Sequence, residues 1–143
     1  MDFSLDDDAQ AIAGLADTVI GDASGQQALR RIERADGPRF DRDLWATLAE
    51  TGVLGAFVPE DHGGSGLGLV ALGAVFEAAG RHAAAVPLWE TLALGALPLA
   101  RFAPDDLARR WLPEVAAGSC VLTAAWHESG GEPLLPTTIA ART

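Results

Sequence analysis

Apolar side chains along the first half of the chain recur at helical rather than strand spacing. Leu5, Ala9, Ile12, Leu15, Ala16, Val19 and Ile20 share one face and predict a helix over about 5–20, with Ser4, three residues ahead of Asp7, as its N-cap. Gly21 and Gly25 bracket a break. The charged stretch from Gln26 to Asp36 then predicts a short solvated helix ahead of Gly37-Pro38. Asp41 supplies the N-cap of a helix over about 42–51, in which Leu44, Trp45 and Leu48 share a face and Gly52 is the stop.

The next segment, Val53 to Val58, is apolar but short, and is a candidate strand with a weak signal. Pro59 and the cluster Gly63-Gly64-Ser65-Gly66 make the stretch after it a turn or loop. Leu67, Val70, Ala71, Ala74, Val75 and Ala78 form a stripe that predicts a helix over about 67–80. Pro87 opens a helix over about 86–101 that is apolar on most sides, as central helices are, with Pro98 kinking or dividing it. Pro104 at the first helical position, with Asp105 and Asp106, starts a last helix that Pro113 is expected to end early. After Gly118 the pattern changes, and Cys120 to Trp126 reads as a strand. The prediction is an all-α domain over 1–118, of about five to six helices in an up-down, bundle-like arrangement, followed by the first strand of a β region over 119–143.

Composition sets bounds on this picture. A chain of 143 residues fits one domain and, folded, hides roughly two-thirds of the surface exposed by its unfolded form. Apolar residues make up 49% of it and run its whole length, which argues against disorder. Glu77, Arg81, Glu90 and Arg101 interrupt the most hydrophobic stretch, so no membrane span is expected. The N-terminus is acidic where a secretion signal would be basic, and a soluble, cytoplasmic protein is the expectation. A net charge of −10, with no basic cluster beyond Arg30, Arg31 and Arg34, works against nucleic acid as a partner. One cysteine, Cys120, forms no internal disulfide, and with His62, His82 and His127 it matches no zinc spacing, so no metal is expected.

Candidate chemistry is sparse. The glycines at 63–68 suggest a phosphate loop, but no Gly-Lys-Ser/Thr comes after them and the spacing breaks the dinucleotide fingerprint, so a tight interhelical turn is the stronger reading. His127-Glu128 beside a glycine-rich turn has the residue types of a base and an orienting acid, although such pairs are common by chance. Trp45, Trp89, Trp111 and Trp126 read as core or interface anchors.

Order and spacing carry more information than any single motif. The string Leu44-Trp45-Ala46-Thr47-Leu48-Ala49-Glu50-Thr51-Gly52-Val53-Leu54-Gly55 is succeeded by Val58-Pro59-Glu60-Asp61-His62-Gly63-Gly64-Ser65-Gly66-Leu67. Next come Glu77-Ala78-Ala79-Gly80-Arg81 and Arg110-Trp111-Leu112-Pro113-Glu114-Val115-Ala116-Ala117-Gly118. Together these resemble the N-terminal helical domain of the acyl-coenzyme A dehydrogenases, and the resemblance covers essentially the whole chain.

That resemblance implies an all-α N-terminal domain at 1–118 and the start of the middle β domain at 119–143. It implies FAD as cofactor, an acyl-CoA substrate oxidised between its α and β carbons, and oligomerisation with itself or with another acyl-CoA dehydrogenase subunit. Electron-transfer flavoprotein is the partner implied for the full enzyme. The family's catalytic glutamate belongs to a C-terminal bundle, beyond Thr143, so no catalytic residue is expected here and the 143-residue chain alone is expected to be inactive. By the same resemblance, Leu88, Trp89, Glu90 and Leu92 come nearest the acyl group, and Trp126, His127, Glu128 and Ser129 nearest the flavin. In that last segment the family's threonine is His127, and a glycine-serine facing the pyrophosphate is Glu132-Pro133, which adds negative charge and removes a hydroxyl and an amide donor. Two readings are open: a degenerate subunit of a heteromeric enzyme of the bacterial sterol side-chain type, sharing one flavin between dissimilar subunits, or a divergent loop that still binds FAD through its backbone. A third, of a different class, is a helical docking module that supplies subunit contacts only.

Overall fold

A computed structural model describes residues 4–125 and Ile139. The first helix, α1, runs Asp7–Ala23, and its N-cap is Asp6, whose carboxylate accepts the Ala9 amide at 2.8 Å; the expected cap, Ser4, lies two residues too early. Gly21 does not break α1 but continues it. Its missing side chain leaves room for His82, since a Cβ there would lie 3.1 Å from the imidazole. Helix α2 spans Gln26–Arg34, as the charge pattern predicts, and buries no residue.

Helix α3, Arg42–Glu50, is capped as expected by Asp41, which accepts the Asp43 and Leu44 amides at 3.1 Å each. Gly52, at φ 81°, then turns the chain in the left-handed conformation that glycine takes without strain. The candidate strand 53–58 is instead a turn and a 3-10 helical turn at Gly55–Phe57. Its side chains are apolar because Val53, Leu54, Ala56 and Val58 are all buried. Its carbonyls are taken by the glycine loop beyond it: Gly55 accepts from Ser65, Ala56 from Leu67 and Val58 from Gly66. Apolar content alone cannot distinguish such a segment from a strand.

Helix α4, Leu69–Arg81, packs along α1. The apolar segment after it is a π-helix, Trp89–Ala96, running directly into α5, Leu97–Phe102. Pro98 sits in the first turn of α5, where the wider π-helix gives way to an α-helix. A proline ring crowds the carbonyl four residues back and offers no amide, and the preceding turns open so that the Leu97 amide reaches the carbonyl of Leu92.

The last helix, α6, runs Asp105–Ala116, with Pro104 as its N-cap residue rather than its first helical one. It passes through Pro113, contrary to the sequence expectation. Leu112 and Val115 flank that proline and are fully buried. Burying each contributes about 1.5–3 kcal/mol, enough to offset the roughly 3 kcal/mol cost of an interior proline. Gly118, at φ 69°, ends the helix. The predicted strand does not form within the described residues: 120–125 carry no ladder. A strand exists only by pairing, and here Leu122 lies instead against the π-helix at Gly95, where a Cβ would come within 2.4 Å of its own.

One core joins the helices. Ala16 and Ile20 of α1 meet Leu72, Val75 and Ala78 of α4, and Leu44, Trp45 and Leu48 of α3 close another side. Leu88 and Leu92 enter from the π-helix end, and Ala108, Leu112 and Val115 from α6.

Candidate functional site

The motifs that carried the resemblance prove to be devices of folding. In the glycine loop, a Cβ on Gly64 would sit 2.0 Å from the Val58 carbonyl oxygen and 2.4 Å from that of Gly55, so only glycine fits. Gly63 and Gly66 have φ of 85° and 65°. Each amide from Gly63 to Leu67 donates to a backbone carbonyl: those of Glu60, Pro59, Gly55, Val58 and Ala56 in turn. A phosphate-binding loop works by aiming unpaired amides at the anion, and the amides of 63–67 are all engaged within the backbone. The residues present therefore do not fit a flavin pyrophosphate here, and the tight-turn reading is the one the geometry supports.

The Glu77 to Arg81 motif is an ion-pair clasp. Arg81 donates to Asp17 of α1 at 2.6 Å and to Glu77, one turn back, at 2.8 Å, and His82 Nε2 lies 3.0 Å from the same Asp17 oxygen. The hydrogen bond from His82 does most to hold the Asp17 carboxyl below its ordinary value, and Arg81 assists it against the opposing effect of burial. The Arg110 to Gly118 motif closes on the Leu44-Trp45 motif. The Trp45 indole donates to the Gly118 carbonyl at 2.9 Å, across 73 residues, and a Cβ on Gly118 would come within 2.7 Å of that of Ala49. Trp45 is thus the core anchor expected of it. Trp111 is half-buried, with the Arg110 guanidinium over its ring at 4.9 Å.

The acyl-wall candidates divide between two surfaces. Leu88 and Leu92 belong to the core, 2% and 1% exposed, whereas Trp89 is 56% exposed and packs its ring at 5.3 Å on Phe76 of α4. Glu90 is exposed, so an acid in an apolar helix is explained by its contact with water. Leu92 also reaches a cleft of about 280 Å³ between the glycine loop and the π-helix–α5 rod. Leu67, Leu69, Leu72 and Leu97 line the same cleft, and among the described residues Arg101 is the charged member of its wall. The resemblance singles out Leu92 from this group but not Leu69, Leu97 or Arg101, because a cleft between segments distant in sequence leaves no periodic signal. Trp126, His127, Glu128 and Ser129, and with them the histidine-glutamate pair, lie outside the described residues.

Two polar atoms are buried without a hydrogen-bond partner among the described residues, Nδ1 of His62 and Oγ1 of Thr91. Burial raises the Cys120 thiol above its ordinary value, and nearby Glu114 adds to this. Among the described residues no group of three or more His, Cys, Asp or Glu could hold a metal ion, and no helix is long and apolar enough to cross a membrane.

Comparison with known proteins agrees with this architecture. Residues 9–119 match the family model described as acyl-CoA dehydrogenase, N-terminal domain. Acyl-CoA dehydrogenase FadE27 of Mycobacterium tuberculosis is 36% identical over 132 residues, which is 92% of this chain and 35% of that protein. Among solved structures, the Tcur3481-Tcur3483 steroid ACAD superposes with a TM-score of 0.84 at 40% identity, covering 93% of this chain and 36% of that one. The ChsE4-ChsE5 complex of Mycobacterium tuberculosis gives a TM-score of 0.84 at 36% identity, covering 92% and 36%. The chain spans about a third of the length of these relatives. With its helices, its glycine turn and its tryptophan–glycine closure all in the matched region, the chain belongs to the acyl-CoA dehydrogenase family and carries that family's N-terminal helical domain.

Proposed function

We propose that this chain is the N-terminal helical domain of an FAD-dependent acyl-CoA dehydrogenase that oxidises the α–β bond of a sterol-derived acyl-CoA thioester, as one of two dissimilar subunits. The observation that carries this reading is the backbone agreement, at a TM-score of 0.84 and 40% identity over 93% of the chain, with a steroid ACAD whose name joins two components. The similarity to the ChsE4-ChsE5 complex supports the heteromeric part.

In this reading the domain shapes and dries the acyl end of the site. Leu69, Leu72, Leu92 and Leu97 offer the apolar wall that a bulky hydrocarbon requires, and Arg101 marks its polar limit. FAD supplies the hydride acceptor when bound. The base that removes the α proton belongs to the remainder of the enzyme, and electrons leave to electron-transfer flavoprotein. The alternative, a non-catalytic docking domain, is favoured by one observation: the large apolar side chains Leu69, Val70 and Trp89 are 57%, 66% and 56% exposed.

The two are separated by purifying the full-length protein alone and together with a dissimilar acyl-CoA dehydrogenase subunit, then measuring bound flavin and acyl-CoA-dependent reduction of an artificial electron acceptor. Flavin and turnover are expected only with both subunits, with a sterol-derived thioester preferred over a straight-chain one. A flavin-saturated, active homomer overturns the heteromeric assignment. Turnover by the 143-residue chain alone overturns the division of roles.

A further inference from the structure

Helix α2 is held to the domain lightly. It buries no residue, Gly25 gives it no side-chain cap, and Leu29 is 39% exposed. Nine residues are too few to be helical on their own in water, where about 12–15 are needed, so its order depends on docking. Gly25 and Gly37 stand at either end with φ of 155° and 133°, and a Cβ on either would meet nothing within 4 Å. These are conformations open to glycine and strained for other residues, in surroundings that impose no packing. Beneath the helix, Ala28, Leu29 and Ile32 face Leu44, Ala83 and Ala85 across a gap of only about 10 Å³, so lifting the helix uncovers the 83–85 segment.

Its polar attachment is Arg31, which donates to Oδ2 of Asp41 at 2.9 Å. Asp41 is 5% exposed, and it serves three segments at once. Its Oδ1 caps α3 through the Asp43 and Leu44 amides, and its own amide donates to the Ala85 carbonyl at 2.7 Å. Ala85 lies in the short link from α4 to the π-helix, where Ala83 has a φ of 49°, a left-handed conformation unfavourable to alanine. A strained link is therefore pinned at the residue that also latches α2.

We propose that α2 is a hinged strap, latched by the Arg31–Asp41 ion pair, whose release loosens the 83–88 link and so the start of the π-helix. Arg31 is 63% exposed on its side of the pair, so salt and competing anions reach the latch. Asp41 keeps its bonds to α3 when Arg31 leaves, so the strap lifts without unfolding the domain.

Hydrogen exchange read by mass spectrometry tests this on the whole protein. Amides of 26–35 are expected to exchange at least about tenfold faster than those of α1. Arg31→Gln is expected to speed 26–35 by about a further tenfold, and 84–90 severalfold, with α1 and α6 unchanged. Asp41→Asn removes the charge but leaves a good N-cap, and is expected to reproduce the effect on 26–35 while α3 keeps its protection. Raising salt is expected to act on the wild type as Arg31→Gln does, and to add nothing to that variant. The proposal is overturned if both variants leave 26–35 unchanged, if 26–35 responds while 84–90 is silent, or if all helices accelerate together.

Discussion

Replacing Gly64 with alanine is the sharpest test of why the glycine loop has its sequence. The added methyl would stand 2.0 Å from the Val58 carbonyl oxygen and 2.4 Å from that of Gly55, where carbon–oxygen contacts do not come within 3.0 Å. Backbone must therefore separate by about 1 Å, and the opposing atoms are main chain, so no rotamer relieves the clash. The separation stretches the bonds from Gly66 to Val58 and from Ser65 to Gly55, at 2.9 and 3.1 Å, each contributing about 0.5–1.5 kcal/mol. It also shifts Ala56 and Val58, which are buried in the core. With about 2 kcal/mol for the strain this forces on the core, the sum is about 3–5 kcal/mol, a large share of the roughly 5–15 kcal/mol that holds a domain folded. Urea and thermal unfolding followed by circular dichroism should show a Tm lower by about 10–20 °C. Gly73→Ala is the control: it lies in α4 with nothing within 4 Å of the added methyl, and should gain about 0.5–1 kcal/mol. If Gly64→Ala stays within about 0.5 kcal/mol of the wild type, the loop's close approach is not what selects glycine, and the reasoning fails.

Polar groups give two further expected outcomes. Because His82, and then Arg81, hold the folded Asp17 carboxyl below its ordinary value of 3.8, its contribution is complete above that pH and is lost as pH falls through the folded value. The stability difference between wild type and Asp17→Asn, measured by denaturant titration, should be constant near neutrality and shrink only below pH 3.8; a difference that persists there contradicts the ion-pair account. The Thr91 hydroxyl is fully buried and unpaired among the described residues, so Thr91→Val, nearly the same shape, should leave stability unchanged or raise it by up to about 1 kcal/mol. A comparable loss in urea unfolding would mean that the hydroxyl has a partner.

The chain's periodicity alone determined where α1, α3 and α4 lie, because each carries its own apolar face within a few residues, as Leu44, Trp45 and Leu48 behind Asp41 illustrate; α2 was marked instead by its run of charge. Local chemistry also determined that residues 63–66 turn, since glycine concentrates only where backbone demands it. Tertiary structure decided the rest. Pro113 forbids a helix by itself, yet Leu112 and Val115 carry α6 through it by burial, an energy absent from the local sequence. The apolar run 53–58 suits a strand as well as a 3-10 turn until the glycine loop takes its carbonyls. The cleft shared by Leu69, Leu92, Leu97 and Arg101, and the triple role of Asp41, exist only once distant segments meet. Periodicity records which face of an element is buried; it holds no record of what that face is buried against.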